Sequence, residues 1–459
     1  MSLGKISILV LALTSISTAQ GPNTYKVNLD HLLSLVQRIE LKGEEVSVVD
    51  IYSDYPTYNP VVAKGEGFAC VDDAARAAVL LIRYDQVFHT NANREVIDGL
   101  VKFVIAMQTN NGCFYNFVMG NGREATINTT GRTSYSSFGW WAARAVWALG
   151  EAAEYYRKID IPRFNAVVEA INRSMPRVDS VLQNYRNLTS TGEPTWLLYN
   201  DGADASSELV LGLNAAYRAT GKKAYLEAAG KLCNGMLFLQ QGNSRQPPYG
   251  MFASNSGGWH GWANSQSAAI MQYSKLSGDT TMFKRAVQEV NCFLPRWAGS
   301  GFFRSCNLHG DSTDYSDQIA YGIQPSVSAA VEAYEMTHEN KYKALACILA
   351  SWFFGNNTAR STFYIVSTGV CFDGTVDSLH LNKNSGAEST VEALLSMVDL
   401  NSIGTSFHKI SLISSKSFNT TEYRYDFDGS LLVIKMVSGG FQAIFTSWPR
   451  KHNGRVLQP

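Results

Sequence analysis

Apolar positions recur at helical spacing through most of the chain, and they do so in paired segments. Five Ala-rich stretches end in a tyrosine, at Tyr84, Tyr156, Tyr217, Tyr273 and Tyr334, then cross a tight polar turn into a second helical stretch. Tyr217-Arg-Ala-Thr-Gly-Lys-Lys-Ala-Tyr225 and Tyr334-Glu-Met-Thr-His-Glu-Asn-Lys-Tyr342 share one offset between their aromatic ends, and Tyr156 to Phe164 repeats it across Pro162. A two-helix unit about every sixty residues marks a closed or stacked array of helical hairpins. The pattern predicts inner helices near 72–84, 137–156, 204–220, 264–277, 325–337 and 388–400. Outer partners are predicted at 95–108 and 165–185 and from about 223, 281 and 341. The inner segments carry Ala, Ser and Gly, as helices packed on both sides require, whereas the outer ones are amphipathic. Residues 28–41 are expected to supply the sixth outer helix, which makes twelve.

After Asn401 the period changes. Residues 410–414, 423–427, 431–437 and 441–448 alternate or run β-branched and aromatic, with Asp428-Gly429 and Gly439-Gly440 as turns. The expected fold is therefore all-α, an (α/α)6 barrel with a small C-terminal antiparallel β segment. The sheet is too small for a core of its own and is expected to plug or brace the barrel. The first residues read as a secretory leader, with Lys5, an apolar run at 6–16 and a small-residue cleavage signal at Ser17-Thr18-Ala19. The expected organisation is a leader at 1–19, the barrel at 20–400 and the β-rich segment at 401–459. A secreted or periplasmic location follows as an expectation, with no later run long enough to span a membrane.

Composition narrows the chemistry. Thirty-nine basic residues balance 39 acidic ones, so no basic stripe is available to neutralise phosphates, and a nucleic-acid partner is not expected. Charged residues make up 17% and aromatic ones 12%, including nine Trp and 22 Tyr. Such a weakly charged, ring-rich surface suits carbohydrate, whose C–H faces stack on aromatic rings. The seven cysteines contain no CxxC pair, which leaves no zinc ribbon or redox motif; Cys292 and Cys306 are the closest pair. Neither a metal nor a cofactor is predicted. The pattern sets no oligomeric state.

In a ring of hairpins the loops before the inner helices gather at one end, so their residues are the candidates for chemistry. Before the first inner helix stands GEGFACVDDAARA, with Asp72, Asp73 and Arg76. One Asp suffices as an N-cap; a second adjacent Asp points to the cleft, with Arg76 one turn on to hold a carboxylate ionised. Before the third come Asp201, in a Gly-flanked loop, and Asp204, which shares a helix face with Glu208. Trp259, His260 and Trp262 occupy a glycine-rich loop before the fourth and are expected to form a sugar-stacking platform. Asp311, Asp314 and Asp317 precede Tyr321 before the fifth, and Asp373 lies ahead of Glu388 at the sixth. Carboxylates converging on one rim, framed by Trp and His, match glycoside cleavage, which needs one acid for the leaving oxygen and one carboxylate to activate water or attack the sugar.

The layout over 28–400 resembles the six-hairpin (α/α)6 glycosidase-like superfamily, which implies carbohydrate chemistry without fixing one reaction. Three segments, VDDAARA (71–77), 113–150 and FDGTVDSLHLNKNSGAEST (372–390), are similar to an incompletely characterised helical domain of bacterial carbohydrate gene clusters. That group supplies no catalytic assignment to carry over. The stretch SYSSFGWWAARA (134–145) departs from it by lacking an acid near Ser137 or Phe138. The expected activity is hydrolysis of a poly- or oligosaccharide, with Asp73 and Glu388 as acid and base and Asp201 as a third candidate. Asp72, Arg76, Trp140, Asp204, Trp259, His260, Trp262, Asp317, Tyr321 and Asp373 are expected to bind substrate. A polysaccharide lyase or unsaturated-uronyl hydrolase, using His260, Tyr321 and Arg76, is the alternative. A non-catalytic glycan-binding protein and a sugar epimerase are further ones.

Overall fold

The computed structural model describes residues 25–446 apart from 122–123, 316, 406–408, 415–421 and 428, so the expected leader lies outside the described residues. The helices are α1 (Asp30–Ser34), α2 (Val71–Val87), α3 (Arg94–Ala106), α4 (Trp140–Tyr156), α5 (Ile161–Leu182), α6 (Ala203–Thr220), α7 (Lys223–Phe238), α8 (Gln266–Ser277), α9 (Thr280–Cys292), α10 (Leu294–Gly299), α11 (Gln324–Thr337), α12 (Asn340–Ala350) and α13 (Ala387–Ser402). Helices α2, α4, α6, α8, α11 and α13 each pack on the next, and α13 returns to α2 to close the ring. Because an antiparallel outer helix intervenes between successive inner ones, the inner N-termini gather at one end, here called the mouth.

Composition decides which helices are inner. Helix α6 is buried on nearly every face, and α4 approaches it so closely that a Cβ on Gly212 would sit 2.5 Å from the Val146 carbonyl oxygen. A Cβ on Gly150 would likewise lie 2.3 Å from the Gly212 oxygen. The outer helices bury a stripe: α5 hides Val167, Ala170, Ile171, Ser174, Val178 and Leu182, at helical spacing, and exposes the rest. Local signals set their ends. Asp160 and Asp279 cap α5 and α9 through their side chains, and Gly221 and Gly278 close α6 and α8 in the left-handed region.

The sixth outer helix is not formed. Helix α1 ends after one turn, and 36–41 is a strand paired with Glu44–Val49 around Lys42 and Gly43, both at positive φ. A two-residue turn of that shape matches the twist of a hairpin, and Val46, Val48 and Val49 bury themselves beside α3. This hairpin joins Glu124–Ile127, Phe117–Asn121 and Ala69–Cys70 in a five-stranded sheet. With further short strands in the loops at the mouth, "all-α" describes the ring and not the whole chain.

The C-terminal segment is a four-stranded antiparallel sheet in chain order, Ile410–Ser414, Glu422–Phe427, Ser430–Val437 and Gly440–Phe445. It braces the barrel from outside and does not plug it. Phe441 meets Tyr342 of α12 edge-on, and the Tyr423 ring lies over Gly299 of α10, where a Cβ would fall 2.3 Å from a ring carbon. All seven cysteines are buried free thiols, so Cys292 and Cys306 are not joined. At the end opposite the mouth, a cavity of about 410 Å³ opens among the last turns of the six inner helices. Its wall is tied by Arg83 to Glu151 (2.8 Å) and Asp399 (3.4 Å), and by Arg218 to Glu154 (2.8 Å).

Candidate active site

Two arginines on neighbouring inner helices organise the floor of the mouth. Arg76, one turn into α2, is buried and serves three carboxylates. Its Nη2 donates to Asp73 (2.7 Å) and to Glu388 (3.1 Å), and its Nη1 to Glu392 (3.0 Å). Arg144, one turn into α4, donates through Nη1 to Asp72 (2.8 Å), through Nε to Glu208 (2.8 Å) and through Nη2 to the Tyr321 hydroxyl. The Tyr321 ring stands between them, 4.9 Å from the Arg76 guanidinium carbon and 5.1 Å from that of Arg144. Its hydroxyl donates to Glu208 at 3.2 Å. A ring face between two cations offsets their repulsion, since its quadrupole is negative toward both.

The adjacent aspartates take different directions because successive residues on a helix are rotated by about 100°. Asp72 faces the mouth, its side chain 19% exposed, and accepts from Arg144 and from Asn116 Nδ2 at 3.3 Å. Asp73 points inward and is 4% exposed; its backbone N–H and carboxylate both meet the Cys70 thiol, which is the side-chain cap of α2. Neither aspartate is therefore the N-cap. Glu388 opens α13 with its side chain 45% exposed, while Glu392, one turn on, is 2% exposed. The expected pair Asp73 and Glu388 thus meets on one arginine nitrogen, with the guanidinium and no sugar-sized space between them. The two carboxylates that reach the mouth are Asp72 and Glu388.

Electrostatics separates the buried members. Burial pushes Asp73 up to about 6 against the pull of Arg76, with Glu388 and Asp72 adding to the rise. Burial also pushes Glu392 up to about 8, again opposed by Arg76 and reinforced by Glu388 and Glu208. Glu208 is raised by burial despite Arg144. One guanidinium does not offset the burial of both inner carboxyls, so Asp73 and Glu392 favour their neutral forms beside Arg76.

The remaining candidates are spread around this floor. His260 Nε2 meets Asp204 Oδ2 at 3.0 Å, and its ring stacks on Trp262 at 4.0 Å between centroids. Trp259 is no part of that platform: it is buried against Phe293, Trp297 and Phe303, because alternate residues of its short strand face opposite sides. Trp140 lies under the Arg144 guanidinium (5.1 Å), and its backbone N–H donates to the Tyr199 hydroxyl at 3.0 Å. That hydroxyl thus meets the start of α4, next to the stretch that lacks an acid. Asp201 accepts from Ser256 N (3.0 Å) and ties two mouth loops together. Asp373 is a buttress for α13, accepting from Gly386 N (3.1 Å) and Ser389 Oγ (2.6 Å). Asp317 lies farther out, 3.7 Å from Arg304.

Above the floor, Tyr52, Tyr55, Tyr135 and Tyr199 are 45–55% exposed, and all four stand in segments that lead into inner helices. Arg144, Glu208 and Glu392 are the floor residues the chain pattern left unassigned. A signal for the first existed: Ala74-Ala75-Arg76-Ala77 recurs as Ala142-Ala143-Arg144-Ala145, one turn into consecutive inner helices. Among the described residues no group of His, Cys, Asp and Glu has the arrangement of a metal site, and no helix is long and apolar enough to cross a membrane.

No protein-family model matches the chain, and no curated protein does. Solved structures match its backbone. A sugar epimerase from a ruminal bacterium aligns at TM-score 0.56 and 11% identity, covering 78% of this chain and 92% of its own. The cellobiose 2-epimerase of Spirochaeta thermophila aligns at 0.54 and 13%, covering 82% and 94%, and a D-mannose isomerase at 0.54 and 13%, covering 77% and 91%. The chain shares the barrel fold of these structures, a closed ring of six inner helices. Identities this low carry the fold and no activity.

Proposed function

We propose that the chain is an exported carbohydrate-active enzyme that hydrolyses glycosidic bonds of a poly- or oligosaccharide at the mouth of the ring. The observation that carries this reading is the cluster of Asp73, Glu388 and Glu392 on Arg76, open to the mouth only at Glu388, with Asp72 also exposed there. Asp72, held by Arg144 and Asn116, acts as base or nucleophile. Glu388 is the acid, standing beside Asp73 and Glu392, whose carboxyl pKa values burial raises. The exposed tyrosines and the His260–Trp262 stack supply faces for sugar rings. Both arginines are spent on carboxylates in the floor, which favours hydrolysis over a lyase or uronyl hydrolase that must hold a uronate with a free cation. The neighbours' fold supports sugar chemistry in general and chooses no reaction.

The test is a screen of neutral oligosaccharides with the wild type, Glu388→Gln and Asp72→Asn. Each variant is expected to lose turnover by about 10²-fold or more while its melting temperature stays near that of wild type. Turnover retained in Glu388→Gln ends the assignment. A second reading, sugar epimerisation or isomerisation, is favoured by the Asp204-backed His260 at the mouth, an imidazole placed to move a proton. Mass spectrometry separates the two: hydrolysis adds water across the substrate, whereas epimerisation leaves its mass unchanged.

A further inference from the structure

A second cavity, of about 500 Å³, lies where the C-terminal sheet meets the barrel rim. The sheet contributes Ser411, Leu412 and the preceding Lys409; the barrel contributes Ser300, Tyr315 and the loop from Phe354 to Thr362. Among the described residues its lining holds two cations, Arg360 and Lys409, both exposed, and no carboxylate. Elsewhere on this neutral chain, arginines at a cleft are matched by acids, as Arg76 and Arg144 are in the mouth. Here neither cation forms an ion pair among the described residues. Around them stand amides and hydroxyls: Asn356, Asn357, Thr358, Thr362 and Ser300. The Ser300 and Thr358 hydroxyls are shielded from bulk water and find no partner among the described residues, which is uncommon unless a ligand or bound water supplies one. Tyr315, 43% exposed, adds a ring face.

We propose that this seam is a second saccharide-binding site, selective for a sugar bearing an anionic group, carboxylate or sulfate. Arg360 and Lys409 hold the anion, the Ser300 and Thr358 hydroxyls and the Asn356 amide oxygen take sugar hydroxyls, and Tyr315 stacks on the ring. The site is distinct from the mouth, whose arginines are engaged, and it stands whether or not hydrolysis is the reaction there. It also gives the C-terminal sheet a role besides bracing, since one wall of the cavity is the sheet's own.

Isothermal titration of the whole protein tests this with three probes: an oligogalacturonate, a sulfated oligosaccharide and a neutral oligosaccharide of equal length, with sodium sulfate as a fourth arm. The anionic sugars are expected to bind more tightly than the neutral one, and more weakly as salt rises. The double variant Arg360→Glu, Lys409→Glu is expected to weaken anionic-sugar binding by about tenfold or more, with its melting temperature and its neutral-sugar binding unchanged. Tyr315→Ala is expected to weaken the sugars and leave sulfate alone untouched. Stronger binding of carboxylated than sulfated sugar, or the reverse, identifies the anion. Equal binding of neutral and anionic sugars, or anionic binding unaltered in the charge-reversed protein, overturns the proposal. If that variant fails to fold, Arg360→Gln with Lys409→Gln makes the same comparison.

Discussion

Burial raises the titration of Asp73 and Glu392 against the pull of Arg76, and this has a consequence for stability. Each prefers its neutral form in the folded protein, so folding takes up protons as pH rises past the ordinary carboxylate range of roughly 4. Stability from these groups is fully present below that range and is lost as pH climbs toward about 6 for Asp73 and about 8 for Glu392. Glu289, buried against Ser267 and the Phe252 N–H and pushed up to about 7, has the same sign. The melting temperature is expected to fall between pH 5 and pH 9 (values of roughly this range follow from the linkage). Glu392→Gln, which cannot ionise, should flatten the upper part of that fall. A Glu392→Gln profile parallel to wild type would mean that Arg76 holds the carboxylate ionised after all. Little of this was legible in the chain: Asp72 and Asp73 are adjacent letters, and only the helix start at Val71 decides which one turns to the mouth.

At the level of elements, the closest joint in the ring is α4 against α6, where Gly150 and Gly212 let two backbones meet. An added methyl at Gly212 must displace Val146 and Trp147 backbone, which no side-chain rotation can relieve. Gly212→Ala is expected to destabilise the protein by about 1–3 kcal/mol in denaturant unfolding, even though alanine is the better helix former. An unchanged midpoint would show that the helices separate easily. The inner helices are readable because small residues repeat at their spacing, and in five of the six a tyrosine near the end is followed by a turn. The stretch at 28–41 was misread for a physical reason. Its apolar residues satisfy a helical period over a short window, while the Lys42-Gly43 turn, which needs two positive φ angles, decides for a hairpin. Trp259 was misassigned similarly, because a strand of two residues sends its neighbours to opposite faces.

For the molecule as a whole, the ring's polarity places its chemistry. Six parallel inner helices bring their N-termini, with unpaired N–H groups and partial positive charge, to the mouth, where carboxylates outnumber arginines. Their carbonyl ends face the opposite cavity, where Arg83 and Arg218 bridge acids. The C-terminal sheet stands outside this axis, and its small core leaves open whether it melts with the barrel. The contacts argue that it does. Phe441 is 3% exposed and its partners, Tyr342 and the Lys341 ammonium, belong to α12; Tyr423 is seated over α10 where only a glycine fits. A sheet that takes its core from outer helices has no stability of its own to fall back on. Phe441→Ala is expected to lower one shared transition, at a cost of about 3–5 kcal/mol, with no separate endotherm appearing in calorimetry. An early, low-temperature transition beside an unmoved main one would show that the sheet is an independent unit resting against the barrel, and that the seam between them can open without unfolding either.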